Sequence, residues 1–427
     1  MLLKPVLGPV QLVFYSVGVI VGAGVYSVIG TAAELAQQGL WLSFVVGAVV
    51  ALLTGISYAE MATSLPAAGA EYVYLRRALP KSGWAAFSVG LVILLGGAAT
   101  AATVVLAFGG YLRVFLDVPV AISALALLLL CTVFNVWGLQ ESSWANILLT
   151  SIEVLGLILV IAAGLTREDF AAPLLIQPHT GVIGAAAVLF FVYLGFEEIA
   201  NLAEEVRNPA RDVPRAIFIS LGITTVLYVL VSLAVVALAS PAELAASGAP
   251  LAIAVDKVWP GAGNLLSGIA LFATANTVLI TLIATSRLAF SMSRDGELPG
   301  IFAKLMPVRH TPWIAAVLVF AMSAILVPIG DVKILAELSS ISALLAFLAV
   351  NAALIVLRYR MPELPRPFRV PFSVGRMPVL PLAAIASICL LLANFDWNIY
   401  ATGAAAFIVA AIAFWARQRC RAGRRAR

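Results

Sequence analysis

The chain is a succession of long apolar segments separated by short stretches that carry most of its charge. Hydrophobic residues make up 63% of its 427 residues and charged residues only 11%, whereas a soluble domain carries about 25% charged residues. A bilayer core needs about 20 apolar residues per helical crossing, so the length leaves room for about a dozen crossings. The sequence therefore predicts an all-α polytopic membrane protein.

Hydropathy and helix-breaking residues divide the chain into twelve expected transmembrane helices, with boundaries good to a few residues. The expected spans are 8–33, 40–65, 82–114, 119–138, 143–165, 181–205, 214–240, 262–292, 312–329, 332–357, 377–394 and 398–416. We expect four regions: a first five-helix repeat at 1–165, a second at 181–357, two further helices within 377–416, and a basic cytoplasmic tail at 417–427.

Basic residues predict the orientation of these helices. If both termini are cytoplasmic, the inner segments hold every Lys and Arg except four: Arg113, Arg167, Lys257 and Lys333. This bias follows the positive-inside rule and accounts for the net charge of +5 without a nucleic-acid partner. We therefore expect a multi-pass protein of the cytoplasmic (inner) membrane, in contact with the lipid bilayer.

Two spans carry glycines where a continuous helix gains nothing from them. Span 1 places Gly22 and Gly24 near the membrane midplane, and span 6 places Gly195 just before Glu197 and Glu198. Irregular backbone at this depth is tolerated only where protein or a water-filled cavity satisfies it. Two broken helices thus predict a shared cavity, although the glycines of span 1 alone would also suit close helix packing.

The spacing of the two breaks also predicts an internal symmetry. Spans 1 and 6 are the first members of two five-helix halves, which have opposite orientations because five is odd. Half-helix N-termini suit a carboxylate, and freed carbonyls suit an ammonium group or a cation. A zwitterionic substrate satisfies both requirements.

Several segments together resemble the amino acid, polyamine and organocation (APC) permease superfamily. They are VGAGVY at 21–26, YAE at 58–60, PAAGAEYVY at 66–74, GFE at 195–197, AEEVRNP at 203–209, RDVPR at 211–215, SR at 286–287 and SRDG at 293–296. The resemblance implies a five-plus-five inverted repeat of the leucine-transporter type, alternating access, and a substrate site between spans 1, 3, 6, 8 and 10.

Carried over by position, the resemblance assigns a set of substrate-binding residues. They are Gly22, Ala23, Gly24, Val25, Phe191, Tyr193, Gly195 and Phe196. Phe191 stands where the family often has an aromatic gate, with ordinary core packing as the alternative. Near the centre of span 8, Asn276, Thr277 and Thr281 offer amide and hydroxyl contacts to substrate or coupling ion, or bond across helices without a ligand.

Four acidic residues are candidates for coupling or gating. Glu153 stands where proton-coupled relatives commonly carry lysine. Three roles are open for it: acceptor of the coupling proton, ligand of sodium or of a cationic substrate, or a permanently protonated acid hydrogen-bonded to span 1. Glu197 is the better candidate of the span 6 pair for a proton-linked gate, and Glu198 is a candidate counter-ion, unless both simply pair with polar neighbours. Glu60 at the inner end of span 2 either closes the inward gate through an arginine or is solvated.

These observations favour a secondary active transporter that moves an amino acid by alternating access with proton coupling. The alternative is a transporter or exchanger of cationic amines or polyamines, with sodium as a candidate coupling ion and with Glu153 and Glu198 as counter-ions. We expect no enzyme, because only isolated carboxylates lie in the apolar segments. We also expect no metal or cofactor, because Cys131, Cys389 and Cys420 are far apart and both histidines fall in loops.

Overall fold

The computed structural model of the chain describes residues 7–66, 70–80, 82–138, 143–175, 180–307 and 309–401. Its helices are α1 (Pro9–Ala36), α2 (Leu40–Ser64), α3 (Ala70–Ala78), α4 (Gly83–Leu112), α5 (Val120–Trp137), α6 (Ser143–Leu165), α7 (Val182–Leu189), α8 (Glu198–Asn201), α9 (Pro209–Leu238), α10 (Pro241–Ala246), α11 (Pro250–Asp256), α12 (Ala262–Arg294), α13 (Trp313–Leu326), α14 (Val332–Arg360) and α15 (Val379–Leu392). Strands β1 (Ser373–Val374) and β2 (Met377–Pro378) form an antiparallel hairpin between α14 and α15.

Eight segments of the described residues are long and apolar enough to cross a membrane. They are Pro9–Ser64, Gly83–Leu112, Val120–Trp137, Ile147–Leu165, Val182–Asn201, Pro209–Leu238, Ala262–Arg294 and Val332–Arg360. The first contains both α1 and α2, and its 56 residues exceed the roughly 20 that one crossing needs. Two shorter apolar segments, Trp313–Ile329 and Val379–Leu392, follow later in the chain.

Helices occupy each expected span up to residue 394, with two differences. Helix α9 begins at Pro209 rather than at 214, because proline is well suited to the first helical position. The short helices α3, α10 and α11 were not expected. The span at 398–416 and the tail at 417–427 lie outside the described residues apart from 398–401, so the total of twelve stays a prediction.

Two of the apolar segments depart from regular helix. Within α1, Gly22 has non-helical dihedral angles of φ −12° and ψ −136°. In Val182–Asn201, which corresponds to expected span 6 and is called the sixth segment below, α7 ends at Leu189 and a 3-10 turn follows, after which Leu194 is extended and Gly195 has φ +120°. A φ in this region is readily adopted only by glycine, so the backbone needs this residue between the 3-10 turn and α8.

The sixth segment is central to the helix bundle and α5 is peripheral. In the most apolar window of Val182–Asn201, 72% of the residues are buried, compared with 39% for Val120–Trp137. Large apolar side chains of α5, including Ile122 and Leu129, are exposed on the molecule. An exposed apolar face of this kind suits contact with lipid, whereas the sixth segment is enclosed by other helices.

A buried carboxylate joins α2 to α14 and to the segment that follows it. Glu60 is fully buried, and both oxygens receive hydrogen bonds from Arg358, whose side chain is 3% exposed. Arg366 lies 3.1 Å from Glu60 Oε1, and the amide of Val370 donates to Oε2 at 2.7 Å. Arg358 also donates to the Ser373 hydroxyl of β1 at 2.7 Å. One carboxylate therefore fixes α14 and the hairpin region to the end of α2.

We expect the Glu60→Gln variant to be destabilised by about 3–5 kcal/mol, because it leaves two largely buried guanidinium groups without a carboxylate. Thermal unfolding in detergent, followed by intrinsic fluorescence, measures the loss. The matched control is Glu243→Gln, since Glu243 forms an exposed pair with Lys257 and such pairs add little stability. Equal melting temperatures for the two variants would show that the buried pair is not stabilising.

Candidate functional site

The two interrupted segments are in direct backbone contact. A Cβ atom placed on Gly24 would lie 2.9 Å from the Val192 Cα atom, and one on Gly195 would lie 3.1 Å from the Val19 carbonyl carbon. Real Cβ atoms essentially never come as close as the first distance, and the second is tighter than nine in ten real Cβ contacts. The glycines therefore permit α1 and the sixth segment to touch at their irregular parts. A larger residue at either glycine would push the two backbones apart.

The hydroxyl of Tyr228 on α9 lies within hydrogen-bond distance of both interruptions. It is 2.7 Å from the Ile20 carbonyl oxygen and 3.1 Å from the Val192 carbonyl oxygen. Ile20 precedes Gly22 by two residues, and Val192 precedes the extended Leu194 by two residues. A regular helix satisfies such carbonyls with amides four residues later, and Tyr228 offers both of them a donor from another helix.

Aromatic packing holds the Tyr228 ring in place. The ring centroids of Phe44 and Tyr193 lie 5.4 Å and 5.5 Å from that of Tyr228. Tyr228 is fully buried. The hydroxyl position is therefore set by α2, α9 and the 3-10 turn together.

A second hydroxyl satisfies a backbone amide at the α1 interruption. The Ala23 amide donates to Thr277 Oγ1 of α12 at 3.0 Å, and a Cβ atom on Gly22 would collide with the same oxygen. A free amide near a helix interruption is a donor for anions. A carboxylate that binds at residues 22–24 therefore competes with Thr277 for the Ala23 amide.

Glu197 and Glu198 have different hydrogen-bond partners. Glu197 accepts a hydrogen bond from the Gly195 amide at 2.8 Å, so its carboxyl closes the interruption of its own segment. Glu198 accepts one from the Asn201 side chain at 3.1 Å. Both are partly exposed. Their coupling or gating role stays a prediction.

The aromatic residues assigned to the substrate pocket pack against other helices. Tyr193 is fully buried and donates to the Phe44 carbonyl of α2 at 2.8 Å. Phe196 is fully buried between Tyr58 and Phe347, at centroid distances of 5.7 Å and 5.2 Å. These contacts direct Tyr193 and Phe196 toward α2 and α14 and do not support pocket lining, which stays a prediction for them.

The remaining predicted residues lie on α1, on the 3-10 turn and on α12. Val25 and Phe191 are buried. Asn276 is 7% exposed, and within the described residues its Oδ1 has no hydrogen-bond partner. Thr281 is half-buried and follows Thr277 by about one turn. The structure thus brings Thr277 to the α1 interruption. The residue before it, Asn276, has a side-chain oxygen without a donor among the described residues.

Glu153 lies on α6 beside the C-terminal half of α1. Its side chain is 2% exposed, and the Tyr26 hydroxyl of α1 donates to its backbone carbonyl at 3.1 Å. One turn earlier, Thr150 packs so closely on Gly18 that a Cβ atom there would collide with its hydroxyl. The face of α6 that carries Glu153 is therefore against α1, and its coupling role stays a prediction.

Sequence reasoning missed Tyr228, although a spacing signal was present. Ser220, Thr224 and Tyr228 recur every four residues in the apolar span 7 and so share one helix face. That face is against α1, where the Ser16 hydroxyl lies 2.8 Å from that of Ser220. Among the described residues, no group of three or more His, Cys, Asp or Glu side chains is arranged to hold a metal ion.

We expect Tyr228→Phe to speed amide hydrogen exchange about tenfold at both interruptions, because it removes the donor to two buried carbonyls while keeping the ring. Hydrogen–deuterium exchange mass spectrometry of the protein in nanodiscs measures this in peptides covering residues 18–26 and 190–198. Tyr111→Phe is the control, since that buried hydroxyl donates to the Tyr26 carbonyl beyond the interruption. Faster exchange at only one interruption, or equal effects in both variants, would contradict the bridging role.

Comparison with known proteins agrees with this arrangement of motifs. Residues 7–416 match the family described as "Amino acid permease". The chain is 32% identical over 422 residues to the branched-chain amino acid permease BcaP of Bacillus subtilis, covering 92% of this chain and 89% of the relative. It is 32% identical over 403 residues to the methylthioribose transporter of the same organism, covering 89% and 86%.

A plant relative shows similar identity. The chain is 33% identical over 386 residues to the vacuolar cationic amino acid transporter 4 of Arabidopsis thaliana, covering 84% of this chain and 64% of the relative. The names of these relatives point to a transporter rather than an enzyme. With its membrane-spanning apolar helices, the chain is a multi-pass membrane protein. The resemblance noted from the motifs is confirmed: the chain belongs to the amino acid permease family of the APC superfamily.

Proposed function

We propose that this chain is a secondary active transporter that moves an amino acid across the cytoplasmic membrane by alternating access, coupled to protons. The observation that carries the proposal is the contact between the two interrupted segments, Gly24 against Val192 and Gly195 against Val19. Membership of the amino acid permease family supports it.

The contact supplies both kinds of group that an amino acid needs. Amides at residues 22–24 on α1 are donors for a carboxylate, as the bond from Ala23 to Thr277 illustrates. The carbonyls of Ile20 and Val192 are acceptors for an ammonium group, and Tyr228 is within reach of both. The valines at 21, 25 and 192, next to these groups in sequence, are fully buried and favour an apolar substrate side chain.

The proposal includes twelve helices in a five-plus-five inverted repeat, with both termini cytoplasmic. The first and sixth segments are the interrupted ones, and they begin two halves of five spans with opposite orientation. In this arrangement Glu60 and its arginines form a cytoplasmic contact that must separate for the inner side to open. The fully buried ion pair fits a side that is closed in this structure.

A cationic substrate is the second candidate. Glu197 and Glu198 lie directly beside the interruption, and Glu153 is buried beside α1. One relative is named as a cationic amino acid transporter. Carboxylates at this depth are suitable counter-ions for a cationic side chain or an amine. In this second candidate function, sodium is the coupling ion.

Counterflow into proteoliposomes tests the substrate class. Vesicles loaded with unlabelled leucine, alanine, arginine, putrescine or methylthioribose receive a trace of the same labelled compound outside. We expect overshoot with leucine or alanine and none with putrescine. Overshoot with arginine and putrescine alone would favour the cationic candidate, and overshoot with methylthioribose alone would refute amino acid transport.

The Glu153→Gln variant tests proton coupling. With one proton per substrate, a gradient of about one pH unit drives accumulation of up to about tenfold. We expect the variant to lose this accumulation and to keep counterflow, because a neutral amide cannot take up a proton. Glu168→Gln, an exposed acid after α6, is the control.

Full accumulation by Glu153→Gln would remove Glu153 from the coupling role. A sodium gradient applied at equal pH separates the two ions. Accumulation driven by sodium alone would replace the proton in the proposal with sodium.

A further inference from the structure

Glu71 is a buried acid that the proposed transport function does not use. It lies in the first turn of α3, the short helix between α2 and α4, and is 7% exposed. Helix α3 is not among the apolar segments that could cross a membrane. A carboxyl group buried outside the crossing segments needs a neutralising partner or a proton.

The surroundings of Glu71 contrast with those of Glu60. Glu60 is neutralised by Arg358 and Arg366. For Glu71, no Lys or Arg of the described residues lies within ion-pair distance; its side-chain donor is the Tyr58 hydroxyl of α2, 3.0 Å from Oε1. A neutral hydroxyl offsets less of the cost of a buried charge than a guanidinium does. Protonation is therefore the remaining way to neutralise Glu71.

Two paths of contact connect Glu71 to the segment after Gly195. The Tyr58 ring packs edge-on against Phe196, with centroids 5.7 Å apart. The Ala70 amide, next to Glu71, donates to Asn201 Oδ1 at 2.8 Å, and Asn201 donates to Glu198 at 3.1 Å. The start of α3 is thus held to α8 at the same place where Glu71 is buried.

The charged and titratable groups around Glu71 are unfavourable to its ionised form. The pKa of Glu71 is raised to about 7, mainly by burial and also by the nearby Glu198, while its own backbone amide and the Tyr58 hydroxyl lower it. Glu71 also interacts electrostatically with Tyr74 on α3 and with Glu197. Arg287 of α12 interacts electrostatically with Glu198. From α14, Arg358 is engaged by Glu60, and Arg360 donates to the Ala78 carbonyl at the other end of α3.

We propose that Glu71 is a proton-binding positioning residue, whose neutral form holds α3 against α8 and whose charged form separates them by repulsion from Glu198. The inference rests on the proposed transport function and adds a residue to it. Since the pKa is raised, Glu71 is neutral below about pH 7 and charged above it. The packing seen here belongs to the neutral form.

Infrared difference spectroscopy of the full-length protein in nanodiscs tests proton binding directly. Between about pH 6 and pH 8 the wild type should lose a protonated-carboxyl band that is absent from Glu71→Gln. Tyr58→Phe should move the midpoint of this band upward by about one pH unit, because the carboxylate loses its hydroxyl donor. Tyr72→Phe is the matched control, since the Tyr72 hydroxyl donates to Asp295, and it should leave the midpoint unchanged.

Counterflow at the same pH values tests the positioning role. Wild-type exchange should change severalfold across pH 7, and Glu71→Gln should show the low-pH behaviour throughout, since it resembles the protonated acid. A variant that had only lost structure would lower the rate equally at every pH.

Three results would overturn the inference. The infrared band assigned to Glu71 could stay unchanged across pH 7, or Tyr58→Phe could leave the midpoint of its titration unmoved. The third is a pH profile of counterflow in Glu71→Gln that is identical to that of the wild type. If the wild type exchanges none of the substrates tested, the transport proposal fails instead. The infrared titration still decides whether Glu71 binds the proton. If Glu71→Gln does not fold, the midpoint in Tyr58→Phe decides the same point.

Discussion

Satisfaction of backbone hydrogen bonds inside an apolar bundle is the constraint on which this structure depends. Lipid offers no donors or acceptors, so each helix interruption must find partners within the protein. The interruption at Gly22 leaves an amide at Ala23 and a carbonyl at Ile20, and hydroxyls from α12 and α9 reach them. The interruption at Gly195 uses the adjacent Glu197 carboxyl. Irregular backbone is thus kept stable enough to be available to a ligand.

The helical spans were predictable because lipid imposes a simple rule on their length and composition. The glycines at 22, 24 and 195 were also informative, since nothing in a regular helix calls for them. Glu60 was recognisable as a paired or solvated acid from its place at a span end, and the structure pairs it with Arg358. These are properties that one segment carries by itself.

Properties that depend on how segments face one another were not predictable to the same degree. Position alone assigned Tyr193 and Phe196 to the pocket, and their contacts with α2 and α14 follow from the 3-10 turn and the φ of Gly195, which the sequence does not give. Tyr228 is one tyrosine in an apolar span, and its significance lies in two carbonyls more than thirty residues away. Glu71 lies within a recognised motif, but only the three-dimensional structure shows that no Lys or Arg of the described part of the chain pairs with it.

The position of Tyr228 between two carbonyls has a stoichiometric consequence. A phenol carries a single proton, so it can fully satisfy only one of the Ile20 and Val192 oxygens at a time. The two oxygens therefore share one donor from this side chain. A molecule that brings its own N–H groups offers a second donor to the same pair of carbonyls.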